Sequence, residues 1–237
     1  MDTRPALILC MAGVYRRFRE AGYTTPKFLL PVPRGTVLGW IVEELRPDRL
    51  LLVANARDRA HEAAIRAAVP RSTTLVWIGD TGGQAETAAI GVERLAEQGF
   101  TGPLLLHNVD TVVIGRDLDG IGRSLASADG WIDVFDSDSP KYSYVAVEGG
   151  RVVEIAEKVV ISRHATTGLY GFRSPATYLS AVRATTGRSG GEFYVSDVYR
   201  TMLARGERVV VDPDGADRAT IVLGTPEEYE AWVATTR

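Results

Sequence analysis

Four short, largely apolar runs, Ala6–Met11, Arg49–Asn55, Thr74–Ile78 and Pro103–His107, alternate with longer stretches of helical character. That alternation constrains the fold more than any other feature of the chain. A continuous apolar run of this length describes a strand covered on both faces. Between the runs, Thr36–Leu45 carries Val37, Trp40, Ile41 and Leu45 at helical spacing and stops before Pro47. Asp58–Ala68 is alanine-rich and stops at Pro70, and a turn at Gly79–Gly83 leads into a helix over Gln84–Gln98. Strands covered on both faces and separated by helices form a parallel sheet with helices on each side.

Past Asp110 the pattern changes. Trp131–Phe135, Tyr142–Glu148 and Val152–Glu157 read as strands with no long helices between them, the last two joined by a hairpin turn at Gly149-Gly150. A strand over Ala165–Phe172 and a helix over Ser174–Thr185 follow. Arg188–Gly191 reads as a linker, and Tyr194–Ala204 as a helix. Strands at Val209–Asp212 and Ala219–Leu223 precede a closing helix over Pro226–Thr236, with Thr225 as its N-cap. The expected fold is α/β and Rossmann-like: a mixed, mainly parallel sheet flanked by helices, with extra antiparallel strands in the second half.

The 237 residues suffice for one sizeable core, with 45% hydrophobic and 24% charged residues. A net charge of −3 argues against general affinity for nucleic acid or anionic membrane. The apolar start of the chain is followed by Tyr15-Arg16-Arg17 where a signal-peptide cleavage site would need small residues. No run approaches the ~20 apolar residues that span a bilayer. A cytoplasmic protein is expected. The single Cys10 lies inside a strand and reads as a buried structural thiol.

The chemistry concentrates after the first strand. Ala12-Gly13 opens a segment that carries Arg16, Arg17, Arg19 and then Lys27. Cations leaving the carboxyl end of a buried strand suit a phosphorylated ligand, because ligands of open α/β sheets bind in that crevice. Gly13 lets the backbone approach an anion, and Pro26 presents Lys27 from a stiff position. A first strand followed by a solvated basic loop is the plainer reading of the same residues. Asp110, just past the fourth apolar run, is placed to hold a divalent cation; taken alone it also fits a polar turn residue. Neighbouring His107 reads as a strand-end residue, and three histidines make no zinc site. Gln84, after Gly82-Gly83, could pair with the edge of a planar base or simply occupy a first helical turn. Glu157-Lys158 is either a phosphate and hydroxyl contact or a surface ion pair.

Taken in order, these stretches carry a resemblance. Met11-Ala12-Gly13, Arg17-Phe18, Ala21-Gly22-Tyr23 and Pro26–Val32 open it. Asn108-Val109-Asp110, Glu157-Lys158, Thr167–Phe172, Gly191–Tyr199 and Leu223–Glu228 continue it along almost the whole chain. The chain resembles the sugar nucleotidyltransferases, the nucleoside-diphosphate-sugar pyrophosphorylases, and among them the capsule-biosynthesis-type branch. The resemblance implies transfer of a nucleoside monophosphate from an NTP to a sugar 1-phosphate or related phosphate, with Mg²⁺ and release of pyrophosphate. It assigns Arg17, Lys27 and Asp110 to catalysis, with Asp110 as metal ligand. Met11, Ala12, Gly13 and Gln84 fall to the nucleotide, and Glu157, Lys158 and Glu192 to the acceptor. The 1–237 span then reads as one unit, 1–112 nucleotide-binding and 113–237 acceptor-binding. No nucleic-acid or membrane partner is implied, and self-association is left open.

Two positions depart from the family pattern. Tyr15 and Arg16 stand where a second glycine and a Ser or Thr are usual, and Val222 stands where some relatives carry a second metal aspartate. Tyr15 is expected in an allowed conformation with its ring turned outward. Two other classes compete: a non-catalytic nucleotide or nucleotide-sugar binding module, and a glycosyltransferase of related GT-A-like sheet. The latter usually has Asp-x-Asp, whose first carboxylate is Asn108 here.

Overall fold

The structure, a computed structural model, describes residues 3–212 and 215–236. Strand β1 (Ala6–Met11) leads through a short helix α1 (Arg16–Glu20) and a 3-10 turn at Lys27–Leu29 into a small hairpin, β2 (Pro31–Val32) and β3 (Gly35–Thr36). Then follow α2 (Val37–Leu45), β4 (Leu50–Asn55), α3 (Glu62–Ala67), β5 (Thr74–Ile78), α4 (Gln84–Glu97) and β6 (Leu104–His107). The second half comprises β7 (Thr111–Val113), α5 (Leu118–Leu125), β8 (Gly130–Asp136), β9 (Tyr144–Glu148), β10 (Arg151–Ala156) and β11 (His164–Phe172). Helices α6 (Pro175–Ala184) and α7 (Val195–Ala204), strands β12 (Val209–Val211) and β13 (Thr220–Val222), and helix α8 (Pro226–Thr235) complete it.

The main sheet has nine strands in the order β5-β4-β1-β6-β11-β8-β12-β10-β9. β5, β4, β1 and β6 are parallel, as the apolar runs predict. β11 runs antiparallel to both neighbours, β6 and β8, and joins the two halves into one sheet. Alternate side chains of β1 feed two cores. Leu7, Leu9 and Met11 pack with Trp40 and Ile41 of α2, while Ala6 and Ile8 pack with Ala85, Ala88 and Val92 of α4. Burying each large side chain of this kind contributes ~1.5–3 kcal/mol, which fixes the strand whose end carries the basic loop. Cys10 lies within that strand, and burial pushes its thiol up to about 12, in keeping with a structural role.

Helix boundaries follow capping chemistry. The Thr36 hydroxyl accepts from Gly39 N–H at 3.1 Å to start α2. Thr225 and Glu228 form a reciprocal capping box at α8, with Pro226 in its first turn. Five elements lack a sequence counterpart. α1 is a single charged turn whose one buried residue is Phe18. The β2–β3 hairpin and β7 are too short for periodicity to register. α5 carries Gly120 and Gly122, which hide its apolar face of Leu118, Ile121 and Leu125. The predicted helix over Asp58–Ala68 is shorter than expected: Ala56–His61 is 3-10 helix, and only Glu62–Ala67 is α-helical. Among the described residues no helix is long and apolar enough to cross a membrane.

Candidate functional site

A cleft of ≈ 290 Å³ lies beyond the carboxyl end of β6, with Arg17, Gln84, Asp110, Glu157 and Lys158 in its lining. These residues come from α1, the start of α4, the turn after β6 and the end of β10, so the topology gathers what the sequence disperses.

Asp110 leaves β6 and pairs with Lys27, Nζ to Oδ2 at 2.5 Å, both side chains largely buried. Burial pushes the Asp110 carboxyl up, but the charge and hydrogen bond of Lys27, with help from His107 and Thr111, outweigh it. The net effect holds Asp110 below the usual carboxylate value. His107 is fully buried, and burial lowers its pKa; the neutral ring donates Nε2–H to the Thr111 carbonyl at 2.9 Å. It is the strand-end residue the sequence suggests. No group of three or more His, Cys, Asp or Glu side chains among the described residues is arranged to hold a metal ion. Gly224 nonetheless leaves space beside Asp110: a Cβ there would lie 3.5 Å from both Asp110 Oδ2 and Glu228 Oε2.

The basic loop begins beside this pair. Met11 is 1% exposed with its side chain in the core, so only its main chain is available to a ligand. Ala12 is buried and Gly13 exposed. Tyr15 adopts φ 33° and ψ 46°, the left-handed region that glycine enters freely. It thus keeps a glycine-type backbone under strain of about 1–2 kcal/mol. Its ring is not turned outward as expected. It packs against the core edge, and its hydroxyl donates to Asp58 Oδ1 at 2.5 Å while Arg19 lies over the ring. Arg17 is thereby left facing the cleft.

The turn before α4 is fixed by close backbone contact. Gly83 has φ 148°, and a Cβ there would lie 2.4 Å from the Phe193 carbonyl oxygen. Phe193 N–H donates to Gly82 O at 2.8 Å and Ala85 N–H to Phe193 O at 3.0 Å, lacing the turn to the loop before α7. Gln84 therefore faces the cleft from a rigid mount, and its buried Nε2 has no protein partner. An amide donor in that state is available to a ligand's polar edge.

On the opposite wall, Glu157 is 9% exposed and accepts from the Ser143 hydroxyl and from Ser196 Oγ at 2.7 Å. Lys158 has φ 55°, a strained value for a non-glycine residue, held by its N–H donating to Tyr142 O at 3.1 Å. Its ammonium donates to the Tyr194 hydroxyl at 2.7 Å, and that hydroxyl donates to Glu192 Oε2 at 2.6 Å. Glu192 is outside the cleft lining and reaches it only through Tyr194. Sequence reasoning missed Lys141, Tyr142, Ser143, Tyr194 and Ser196 as lining residues. The last two lay inside a recognised stretch, whereas Lys141–Ser143 sit in a loop with no periodic signal.

Known structures share this architecture along nearly the whole chain. A nucleoside-diphosphate-sugar pyrophosphorylase from Vibrio cholerae RC9 matches with a TM-score of 0.80 at 27% identity, covering 96% of this chain and 99% of that one. A Bacillus anthracis protein assigned as a glucose-1-phosphate thymidylyltransferase, in complex with a sucrose, matches at 0.77 and 15% identity, covering 98% and 95%. A UDP-glucose pyrophosphorylase complexed with UDP-glucose matches at 0.75 and 18% identity, covering 99% of each chain. No protein-family model matches the chain, and no curated protein matches it in sequence.

Proposed function

With the fold of the sugar nucleotidyltransferases as premise, we propose that this chain moves a nucleoside monophosphate from an NTP to a sugar 1-phosphate or related phosphate, releasing pyrophosphate. The observation that carries the reading is the convergence of Arg17, Gln84, Asp110, Glu157 and Lys158 on one cleft. The capsule-biosynthesis-type branch is part of the proposal and rests on the sequence motifs.

The acceptor phosphate has a second pKa of ~6, so at neutral pH it is already a nucleophile and needs no strong general base. One of its oxygens attacks the α-phosphorus, and the bond from that phosphorus to the bridging oxygen of the β-phosphate breaks. The chain's task is alignment and charge neutralisation. Arg17 and Lys27 bear on the triphosphate, Gln84 on the base, Lys158 on the acceptor phosphate, and Glu157 on an acceptor hydroxyl. Ser143 and Ser196 hold the Glu157 carboxylate in place.

Asp110 fits a Mg²⁺ ligand, with the space beside Gly224 and the Glu228 carboxylate across it. Mg²⁺ prefers one or two carboxylates together with phosphate oxygens. When bound, the ion supplies neutralisation of charge on the phosphate oxygens. The test is a pyrophosphate-release screen of the common NTPs against a panel of sugar phosphates with Mg²⁺. Turnover of at least one pair is expected. Absence of turnover, together with no NTP binding by calorimetry on a folded sample, sinks the reading.

A further inference from the structure

The most deeply buried charges in the structure lie outside the cleft. Arg116 and Asp133 pair with both side chains 0% exposed. Arg116 Nε donates to Asp133 Oδ2 at 3.0 Å, and Nη2 lies 3.0 Å from the same oxygen. The remaining donors are engaged too: Nη1 with Ile114 O at 2.9 Å and Ala219 O at 2.8 Å, and Nη2 with Thr220 Oγ1 at 3.0 Å. Asp133 Oδ2 also accepts from Thr167 Oγ1 at 2.9 Å, and Thr167 Oγ1 accepts from Leu169 N–H at 3.2 Å.

These contacts connect two separate parts of the site. Ile114, Ala219 and Thr220 belong to the β7–β13 ladder and its end, and β7 begins at the residue after Asp110. At the other end of that ladder, Leu223 N–H donates to Asp110 O at 2.7 Å. Thr167 lies in the irregular part of β11, between Thr166 and Tyr170, where the register against β8 shifts and the strand lines the cleft. Beside it, Gly168 at φ 85° leaves room for Asn108, since a Cβ would lie 2.3 Å from its Nδ2.

A fully buried ion pair is weak as a source of stability, because desolvation offsets most of the attraction. Its worth lies in directed geometry, because all three nitrogens of the guanidinium are held by fixed partners. We propose that Arg116 and Asp133 are positioning residues that set the Asp110 strand and the Thr167 segment at a fixed separation, so that the phosphate-side and acceptor-side walls of the cleft stay aligned. This rests on the proposed transfer reaction for its catalytic consequence, though not for its structural one.

The clean variant is R116M/D133L, which removes both charges together; either single change strands a buried charge and risks unfolding. Amide hydrogen exchange, followed by mass spectrometry, needs no substrate. The expected result is at least tenfold faster exchange in the double variant at both 111–113 and 166–169, with β1 and β4 unchanged. Unchanged exchange at either segment overturns the proposal. If the double variant does not fold, T167V cuts the far link alone and should loosen 166–169 but not 111–113; no loosening there overturns the proposal. R116K keeps the charge without the fork and should behave like the double variant. Wild-type exchange in R116K overturns the positioning role. With the NTP and sugar phosphate pair that the wild type turns over best, the double variant should lose at least tenfold in kcat with KM within about twofold. If the wild type turns over no pair, the exchange result still stands or falls by itself, which separates the two failures.

Discussion

Lys27 Nζ and Asp110 Oδ2 meet at 2.5 Å across the mouth of β6, so the stiff turn after Pro26 and the end of a core strand share one charge pair. An incoming triphosphate would exchange this pairing for its own. Lys27 would turn to a phosphate oxygen and Asp110 to the cation that accompanies it.

The pair gives a pH signature. Asp110 is held below its ordinary value in the folded state. Its contribution to stability is therefore present above the unfolded carboxylate pKa of ~3.9 and is lost as pH falls through the lower folded value. The stability gap between wild type and D110N, measured by urea unfolding, should shrink between pH 5 and pH 3. A gap that stays constant over that range removes the linkage. At neutral pH, D110A should lose at least ~10³-fold in turnover, since loss of several kcal/mol of charge stabilisation costs that much.

His107 titrates with a different consequence. Burial lowers its folded pKa, so below the unfolded value of ~6.5 the unfolded chain binds the extra proton first. Stability should fall as pH drops from 6.5 toward the lowered folded value, and be unaffected by His107 above it. Melting temperatures of wild type and H107Q between pH 5 and 7.5 check this. Parallel curves for the two proteins would place the acid sensitivity elsewhere.

Tyr15 and Asp58 form a second testable pair. Y15F leaves the buried Asp58 without the hydroxyl that donates to it, which should cost about 1–3 kcal/mol. In a double-mutant cycle with D58A, a coupling of at least ~1 kcal/mol is expected for residues in direct contact. Additive losses would mean that the hydroxyl is not what holds the loop.

Lys158 lines the cleft and Lys27 sits behind Asp110, so the two lysines should separate by ligand. K27A should weaken NTP binding in calorimetric titrations, while K158A should leave it near wild type and raise the KM for the acceptor. Y194F, which removes the hydroxyl that holds the Lys158 ammonium, should show a milder form of the K158A effect. Equal loss of NTP affinity in both lysine variants would reassign Lys158.

Much of the parallel half was legible because a fully covered strand is almost wholly apolar, and β1, β4 and β6 are, apart from Asn55 and His107 at the ends of the last two. Thr225 and Pro226 marked a helix start through local chemistry that tertiary packing did not alter. The less legible parts were those whose cause lies far away in sequence. Tyr15 accepts a strained backbone because Asp58, on the next βα connection, receives its hydroxyl. Glu192 lies outside the cleft lining and is tied to it by the Tyr194 hydroxyl, a link that no local pattern reveals. Arg116 and Asp133 carried no motif at all, since an ion pair between residues 17 positions apart shows only after β7 and β8 are placed.

β11 has a consequence for how the chain is made. It is the strand that closes β6 on one side and β8 on the other, yet it arrives late, at His164–Phe172. During synthesis, the wholly buried edge Leu104–His107 has no neighbour on that side until residue 172 has cleared the ribosome. An apolar, unpaired edge of this kind invites pairing with other chains. Fragments ending near residue 112 should accordingly accumulate as insoluble protein, whereas the full chain, once β11 inserts, has that edge covered.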